Sequence, residues 1–586
     1  MKMGKVESVR MGLRQLEASG GAGLAAKRAK ARRGHRLLTW IGGGLLAALA
    51  LVAGVVLVLA HRAEPLLRAR IVQGLSHRFH ARVELDSFHL TLRDGLWAEG
   101  NGLRIWPPVS VIGVAVPGSE APDAPLIRLA EFRFHAPLDY KSGKAIRISV
   151  VQLQGLEVDV PPRPHFEHGA QPAKAAAGED AGLAKRGMGL LHFNVESIEC
   201  TGAHLTVETS KPGKLPLKFA IAHLSLTGVS SGAMGFEAEL TNPRPEGTIH
   251  TSGNFGPWVV EDPGETPLAG DYRFEHADLG GFKGIAGILG STGHYEGTLR
   301  EMVVDGQTDT PDFRLTHFGT ALALHTKFHA RVDGTNGDTW LEPVEATLGN
   351  SHFWVRGKIV HVAPAVNGGS GPRFGGHDIA LTVNVDRGRM EDFLRLASRS
   401  GTPLLTGALT MKAGLEIQPG PVPVHERLKL AGKFALDDAQ FKSAKIQGRI
   451  AELSARGLGR PKDTTATGKA DVRSTMTGSF QMADGIVTLP ALEYTVPGAV
   501  IDLKGSYGVD GGKLNFAGTA KMQATVSAMV GGWKGLLLKP VDRYFEKNGA
   551  GTMVPIHIDG TRENPQFGID FNRMKGSSAQ RPGEPR

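Results

Sequence analysis

The chain runs to 586 residues with a single cysteine and a formal net charge of +9. Ten Lys/Arg against two Glu fall within residues 1–36, which leaves the remainder nearly neutral and removes nucleic-acid binding as the meaning of the basic charge. One cysteine, Cys200, excludes an internal disulfide and a thiolate-based metal cluster.

The basic arm, residues 1–36, reads as a cytoplasmic topology signal that favours anionic lipid. Its Gly21-Ala22-Gly23-Leu24-Ala25-Ala26 fits a dinucleotide-binding spacing by chance, because no strand precedes it. From Leu37 to Ala60 follow 24 residues without one charge. As a helix of about 36 Å they cross a hydrocarbon core of about 30 Å. The run starts too late and is too long for a cleaved signal, although Val58-Leu59-Ala60 has a small-residue end. Leu37, Trp40, Gly44, Ala48, Gly54 and Ala60 therefore mark a membrane anchor, and Gly44/Ala48 and Ala50/Gly54 are spaced for close helix approach. Six Lys/Arg in the 20 residues before the span, against four in the 20 after it, place the N-terminus in the cytoplasm and the bulk of the chain across the membrane.

Pro65 to Phe79 is expected to be a short amphipathic helix whose stripe of Leu67, Ile71, Leu75 and Phe79 caps the first strands, the preferred reading, or lies on the membrane surface. From residue 81 onward the period is two. Leu322, Leu324, Phe328 and Val332 alternate with His325, Lys327, His329 and Arg331. Ile379, Leu381 and Val383 alternate with Asp378, Thr382 and Asn384, and Leu428, Leu430, Phe434 and Leu436 with Lys429, Lys433 and Asp437. Such runs are strands with one apolar and one wet face, typically antiparallel. Turn residues such as Asp333-Gly334-Thr335-Asn336-Gly337-Asp338, Asp484-Gly485 and Asp510-Gly511-Gly512 punctuate them. The class is mainly β, a long meander with few helices. One helix is expected after an Asp386 cap, through Met390, Phe393, Leu394 and Ala397, and another near Pro540–Lys547. Residues 161–190 form a Pro/Ala/Gly-rich linker or insertion, and 574–586 a disordered polar tail.

No catalytic, metal or cofactor site emerges. Gly228-Val229-Ser230-Ser231-Gly232 matches a nucleophile elbow in letters but leads into a strand rather than a helix. His77 and His80 lack a third ligand, and His325 and His329, four apart on a strand, stand about 13 Å from each other, too far to share an ion. Trp97, Trp106, Trp340 and Trp354 read as packing residues.

Several segments resemble the AsmA-like family of bacterial envelope proteins. VQGLSHRFHARVELDSFHLTLRDGLWAEGNGLRI is similar to the family's start after its anchor, and FGTALALHTKFHARVDGTNGDTWLEPVEATLGNSHFWVRGKI to its central strands. The stretch from TPLLTGALTMKAGLEIQPG to FQMADGIVTLPALEYTVPGAVIDLKGSYGVDGGKLNFAGTA, with the closing GGWKGLLLKPVDRYFEKNGAGTMVPIHIDGTRENPQFGID, resembles its C-terminal region. The resemblance implies one inner-membrane helix followed by an elongated, curved antiparallel β-sheet groove in the periplasm. It divides the chain into arm (1–36), anchor (37–60), N-terminal β region (61–160), insertion (161–190), central β region (191–400), C-terminal β region (401–573) and tail (574–586). Roughly 30 strands at about 4.8 Å spacing would give a sheet of about 140 Å.

The function so implied is binding and movement of phospholipid or another acyl-chain lipid, contributing to outer-membrane biogenesis, without catalysis. Candidate groove-lining residues are Leu322, Leu324, Phe328, Val332, Ile379, Leu381, Val383, Leu428, Leu430, Phe434 and Leu436. The inner-membrane bilayer, lipid and other envelope proteins are the expected partners, and nucleic acid is not. The alternative is a non-catalytic envelope scaffold in which the same faces form the core of closed β sandwiches, since alternation alone does not distinguish a trough from a core.

Overall fold

A computed structural model of the chain describes residues 64–569, apart from 107–124, 137–145, 161–192, 365–373, 398–402, 462–471, 509–511, 531–538, 540–550 and scattered positions at helix ends and in turns. The expected anchor at 37–60, the arm before it, the 161–190 segment, the helix expected at Pro540–Lys547 and the tail lie outside the described residues. Among the described residues no helix is long and apolar enough to cross a membrane.

Alternating residues build strands because successive side chains point to opposite faces, and among the described residues 25 strands join into a single sheet. From Phe193–Val207 to Pro565–Ile569 each long strand pairs antiparallel with the next. One pair departs from the antiparallel expectation. Ile146–Val160 lies parallel to Phe193–Val207, with Val151 opposite Ile198 and Leu153 opposite Cys200. Parallel neighbours need a crossover, so the Pro/Ala/Gly-rich stretch between them is a topological necessity. Hydrogen bonding also continues from Gly376–Arg389 to Leu405–Ile417, so the sheet is unbroken near residue 400.

Register keeps one face apolar along the whole ribbon. Across neighbouring strands Phe132 faces Leu153, Cys200 faces Leu224, and Gly306 faces Phe328. Further on Gly357 faces Leu381, Leu381 faces Leu415, and Leu415 faces Leu430. Directly opposed residues share a face, so the pairing transmits the apolar side from strand to strand. Bulges at Phe274/Ala277, Thr310/Phe313 and Val385/Gly388 insert residues without reversing it. Each also increases the local right-handed twist.

The twist brings the ribbon round on itself. The turn after Phe193–Val207 touches the start of Asp338–Leu348: Lys211 Nζ pairs with the Asp338 carboxylate and donates to the His361 carbonyl at 2.9 Å. These contacts join residues 127 and 150 apart in sequence. Seven long strands, Leu217–Thr227 through Leu322–Asp333, lie between, so eight strand spacings separate the strands Phe193–Val207 and Asp338–Leu348. Laid flat they would separate the two points by about 38 Å at about 4.8 Å per strand. Counting strand directions, Lys211 lies on one rim and Asp338 on the opposite rim. Gly284 and Val424 repeat the arrangement farther along, where a Cβ on Gly284 would lie 3.8 Å from the Val424 Cβ. The sheet is a coiled ribbon, with one rim meeting the other after about one turn. A turn of about eight strands is the size that encloses a row of side chains or one slim ligand.

Helices cover the apolar face at the two ends. In the helix over residues 64–79, Leu67, Ile71, Leu75 and Phe79 pack on Phe88, Leu90, Ala98 and Leu103, the capping arrangement expected from their spacing. Its polar side blocks the sheet edge as well: Glu64 accepts from the Leu90 N–H at 3.1 Å, and Arg68 Nε donates to the Leu85 carbonyl at 3.1 Å. Near the other end, Ile446, Ile450 and Leu453 of the helix Ala444–Gly457 pack on Tyr494, Val496, Ile501 and Ala520. Its N-cap is Ser443, whose side chain accepts from Ile446 N. The helix Met390–Ala397 forms as expected and packs Met390 and Phe393 beside Leu409 and Leu436. Its expected cap does not. Asp386 stays in the preceding strand and bonds His352 Nδ1 at 3.0 Å, because three further residues, Arg387 to Arg389, remain in the strand before the helix begins.

Candidate functional site

The apolar face itself is the candidate site. All eleven expected lining residues lie on it: Leu322, Leu324, Phe328 and Val332 oppose Phe313, Thr310, Gly306 and Met302. Ile379, Leu381 and Val383 oppose Ile417, Leu415 and Ala413, which in turn oppose Leu428, Leu430 and Gly432. Phe434 and Leu436 continue that row opposite Met411 and Leu409. Their surroundings differ. Leu436 is fully buried beneath the helices, whereas Leu322, Leu324, Ile379 and Leu381 remain half-buried.

The alternative, a sandwich core, is not seen among the described residues, since no second sheet covers this face. The three strands Leu217–Thr227, Met234–Pro243 and Glu246–Phe255 make the point. Ala238 is their one buried residue, while Phe219, Leu224, Leu226, Phe236, Leu240, Ile249 and Phe255 are half-buried. Farther on, Tyr295, Ala330, Val344 and Ala346 are buried with no second sheet above them. Burial there comes from the curl of the sheet toward its apolar side.

Glycine permits that curl. A Cβ on Gly306 would stand 2.8 Å from Phe328 Cζ and 2.8 Å from the Tyr272 hydroxyl. On Gly100 it would stand 2.3 Å from Phe132 Cζ. Aromatic rings lie over these bare backbone positions, and the floor stays flat and apolar. In the same region the face carries a belt of hydroxyls, which sequence alternation did not reveal because Thr, Ser and Tyr sit in period with Leu and Phe. Thr251 meets Tyr295 at 2.7 Å, Tyr272 meets Ser291 at 3.0 Å, and Thr308 meets Thr326 at 2.7 Å. Burial pushes both tyrosine hydroxyls above their ordinary pKa, so they remain neutral donors. Each of these six hydroxyls has a partner within the belt, whereas the buried Thr310 Oγ1 beside it has none among the described residues.

The opposite face is polar and paired. His325 meets Asp309 at 2.7 Å, His329 meets Asp305 at 2.8 Å, and Arg331 holds Glu342 at 2.9 Å. The two histidines thus engage separate carboxylates. Trp354 stacks edge-on with His352 at 5.5 Å, Trp97 lies beside His135 at 4.9 Å, and Arg82 covers Trp106 at 4.7 Å, all as packing partners. Trp340 stands opposite Arg331 and Lys358. The Gly228–Gly232 motif lies between the strands Leu217–Thr227 and Met234–Pro243, with Ser230 and Ser231 outside the described residues. Burial pushes the Cys200 thiol up from its usual pKa, and its side chain is wholly enclosed. Among the described residues no group of three or more His, Cys, Asp or Glu could hold a metal ion. No known family profile, no curated protein and no solved structure matches the chain.

Proposed function

We propose that the protein is a single-pass, inner-membrane-anchored lipid-handling protein whose coiled ribbon lies in the periplasm and guides acyl chains along its apolar face. The carrying observation is that face, continuous in register and, among the described residues, uncovered over residues 217–255. An acyl chain laid there gains about 0.8 kcal/mol per CH2 removed from water, so retention needs no reacting group. The outer face of ion pairs suits an aqueous compartment. The uncharged run Leu37–Ala60 supplies the anchor, and the helix over 64–79 begins the ribbon just beyond it. The resemblance to the AsmA-like proteins supports a role in outer-membrane biogenesis.

The test places a photocrosslinking amino acid in the full chain, in cells grown with radiolabelled phosphate or acetate. Inner positions Leu226, Phe236 and Leu381 should capture labelled lipid, and outer positions Lys327 and Lys358 should not. Capture of protein alone at the inner positions replaces the lipid reading with the scaffold.

A further inference from the structure

The seam where the two rims meet is also where cations lose their partners. Lys211 takes the Asp338 carboxylate, whose Oδ1 also accepts the His361 N–H at 2.8 Å. Asp333, the other acid nearby, is engaged within its own turn by the Thr335 N–H at 2.9 Å and by Asn336 Nδ2 at 2.6 Å. That leaves Lys214, Arg244 and His377, whose side chains make no ion pair or hydrogen bond among the described residues. The buried Nδ1 of His361 is likewise without a partner. The rings of His361 and His377 stand edge to face at 5.6 Å.

Space accompanies the unmatched charge. Gly337 lacks the Cβ that would lie 3.5 Å from Lys214 Nζ, so the ammonium borders a bare turn. The crowding registers on the groups themselves. Burial, then Lys214, lowers the pKa of both His361 and His377, with Lys211 adding to each and Arg244 to His377. Burial also lowers Lys214, ahead of the opposing pull of Asp338 and the push of Lys211. Elsewhere on the ribbon cations such as Arg331, Arg128 and Lys521 meet carboxylates within about 3 Å.

We propose that this seam is a binding site for a phosphate-type oxyanion, held by Lys214, Arg244 and the imidazoles of His361 and His377. An oxyanion supplies the acceptors that the unpartnered donors lack, and charge-assisted bonds of this kind are the strong ones. By strand alternation His361 and His377 share the face of Ile359 and Ile379. An anion seated there has apolar rows directly beneath it, which fits the headgroup of a phosphate-bearing amphiphile. That source rests on the lipid reading above; free phosphate is the other source of the same chemistry.

The experiment uses the full chain in a non-ionic detergent with three probes: dioctanoyl phosphatidic acid, dioctanoylglycerol and inorganic phosphate. Phosphatidic acid is expected to bind at least roughly tenfold tighter than dioctanoylglycerol, about the worth of one charged hydrogen bond. Lys214→Gln and Arg244→Gln should erase that advantage while leaving dioctanoylglycerol binding unchanged. Equal binding of the two amphiphiles to the unaltered chain, or an advantage that survives both substitutions, overturns the anion site and leaves the trough standing. Inorganic phosphate that binds alone and is lost in Lys214→Gln, with no binding of either amphiphile, supports the anion site and removes the lipid reading. No binding of any probe overturns both.

Discussion

The ends and the middle of the ribbon carry the same alternating sequence and have different fates. At the ends, helices lie on the apolar face, and Phe88, Leu90, Leu436 and Val496 are buried beneath them. In the strands from Leu217 to Phe255 no described residues cover the face, and residues of equal hydrophobicity stay half-exposed. Alternation thus records which side of a strand avoids water, and the partner that covers it is decided elsewhere in the chain. The difference separates residues that hold the fold from residues available to a ligand.

Charge inserted into the two regions gives the largest expected contrast. Leu436→Asp buries a carboxylate with no cation beside it, at a cost of several kcal/mol, and should abolish the cooperative melting transition. Leu226→Asp places the same group on the open face and should change stability by less than about 1 kcal/mol. Thermal melts of the two full-length variants, followed by circular dichroism, measure both effects. Unfolding of Leu226→Asp would show that something covers the middle of the ribbon after all.

Much of this division was legible beforehand, for identifiable reasons. The period-two pattern fixed the faces, and register put all eleven candidate lining residues on one side because bulges added residues without reversing it. The stripe Leu67, Ile71, Leu75 and Phe79 announced its helix and its cap. The parallel pair beside 161–192 stayed hidden, since alternation looks the same for either strand direction. The seam was invisible as well. Lys211 and Asp338 lie 127 residues apart, and only the accumulated twist of eight strands brings them together. The hydroxyl belt escaped notice because Thr251, Tyr272 and Thr308 read as ordinary strand residues.

A smaller effect sharpens the account of the curl. Gly306→Ala pushes a methyl group against Phe328, the Tyr272 hydroxyl and the Thr292 carbonyl, all within 2.9 Å. Such overpacking typically costs about 1–3 kcal/mol. Gly508→Ala, at a strand position where a Cβ meets nothing within 4 Å, is the control and should be close to neutral. Chemical denaturation of both variants compares them directly. Equal midpoints would mean that the curl does not depend on bare backbone at Gly306.

The smallest expected effect contrasts histidines on the two faces through their opposite response to acid. On the outer face, hydrogen bonds to Asp386 and then Glu345 hold the His352 pKa above its ordinary value. Its contribution is complete below the unfolded value of about 6.5 and is lost as the pH rises through the folded value. At the seam, burial and then Lys214 depress His361 and His377, so the unfolded chain binds protons first. Their contribution is present above about 6.5 and is lost as the pH falls through the folded values. The charges facing them are Lys211, Lys214, Arg244 and Asp338, mostly of the sign that opposes protonation. Acidification from about pH 7.5 to 5.5 should therefore loosen the seam while tightening the His352–Asp386 contact. Amide exchange at His361, whose N–H donates to Asp338, reads the seam directly once intrinsic rates are corrected. Its protection should drop at the lower pH in the unaltered chain and become pH-independent in His361→Asn/His377→Asn. A protection that rises on acidification would mean that Asp338, rather than the lysines, governs these rings.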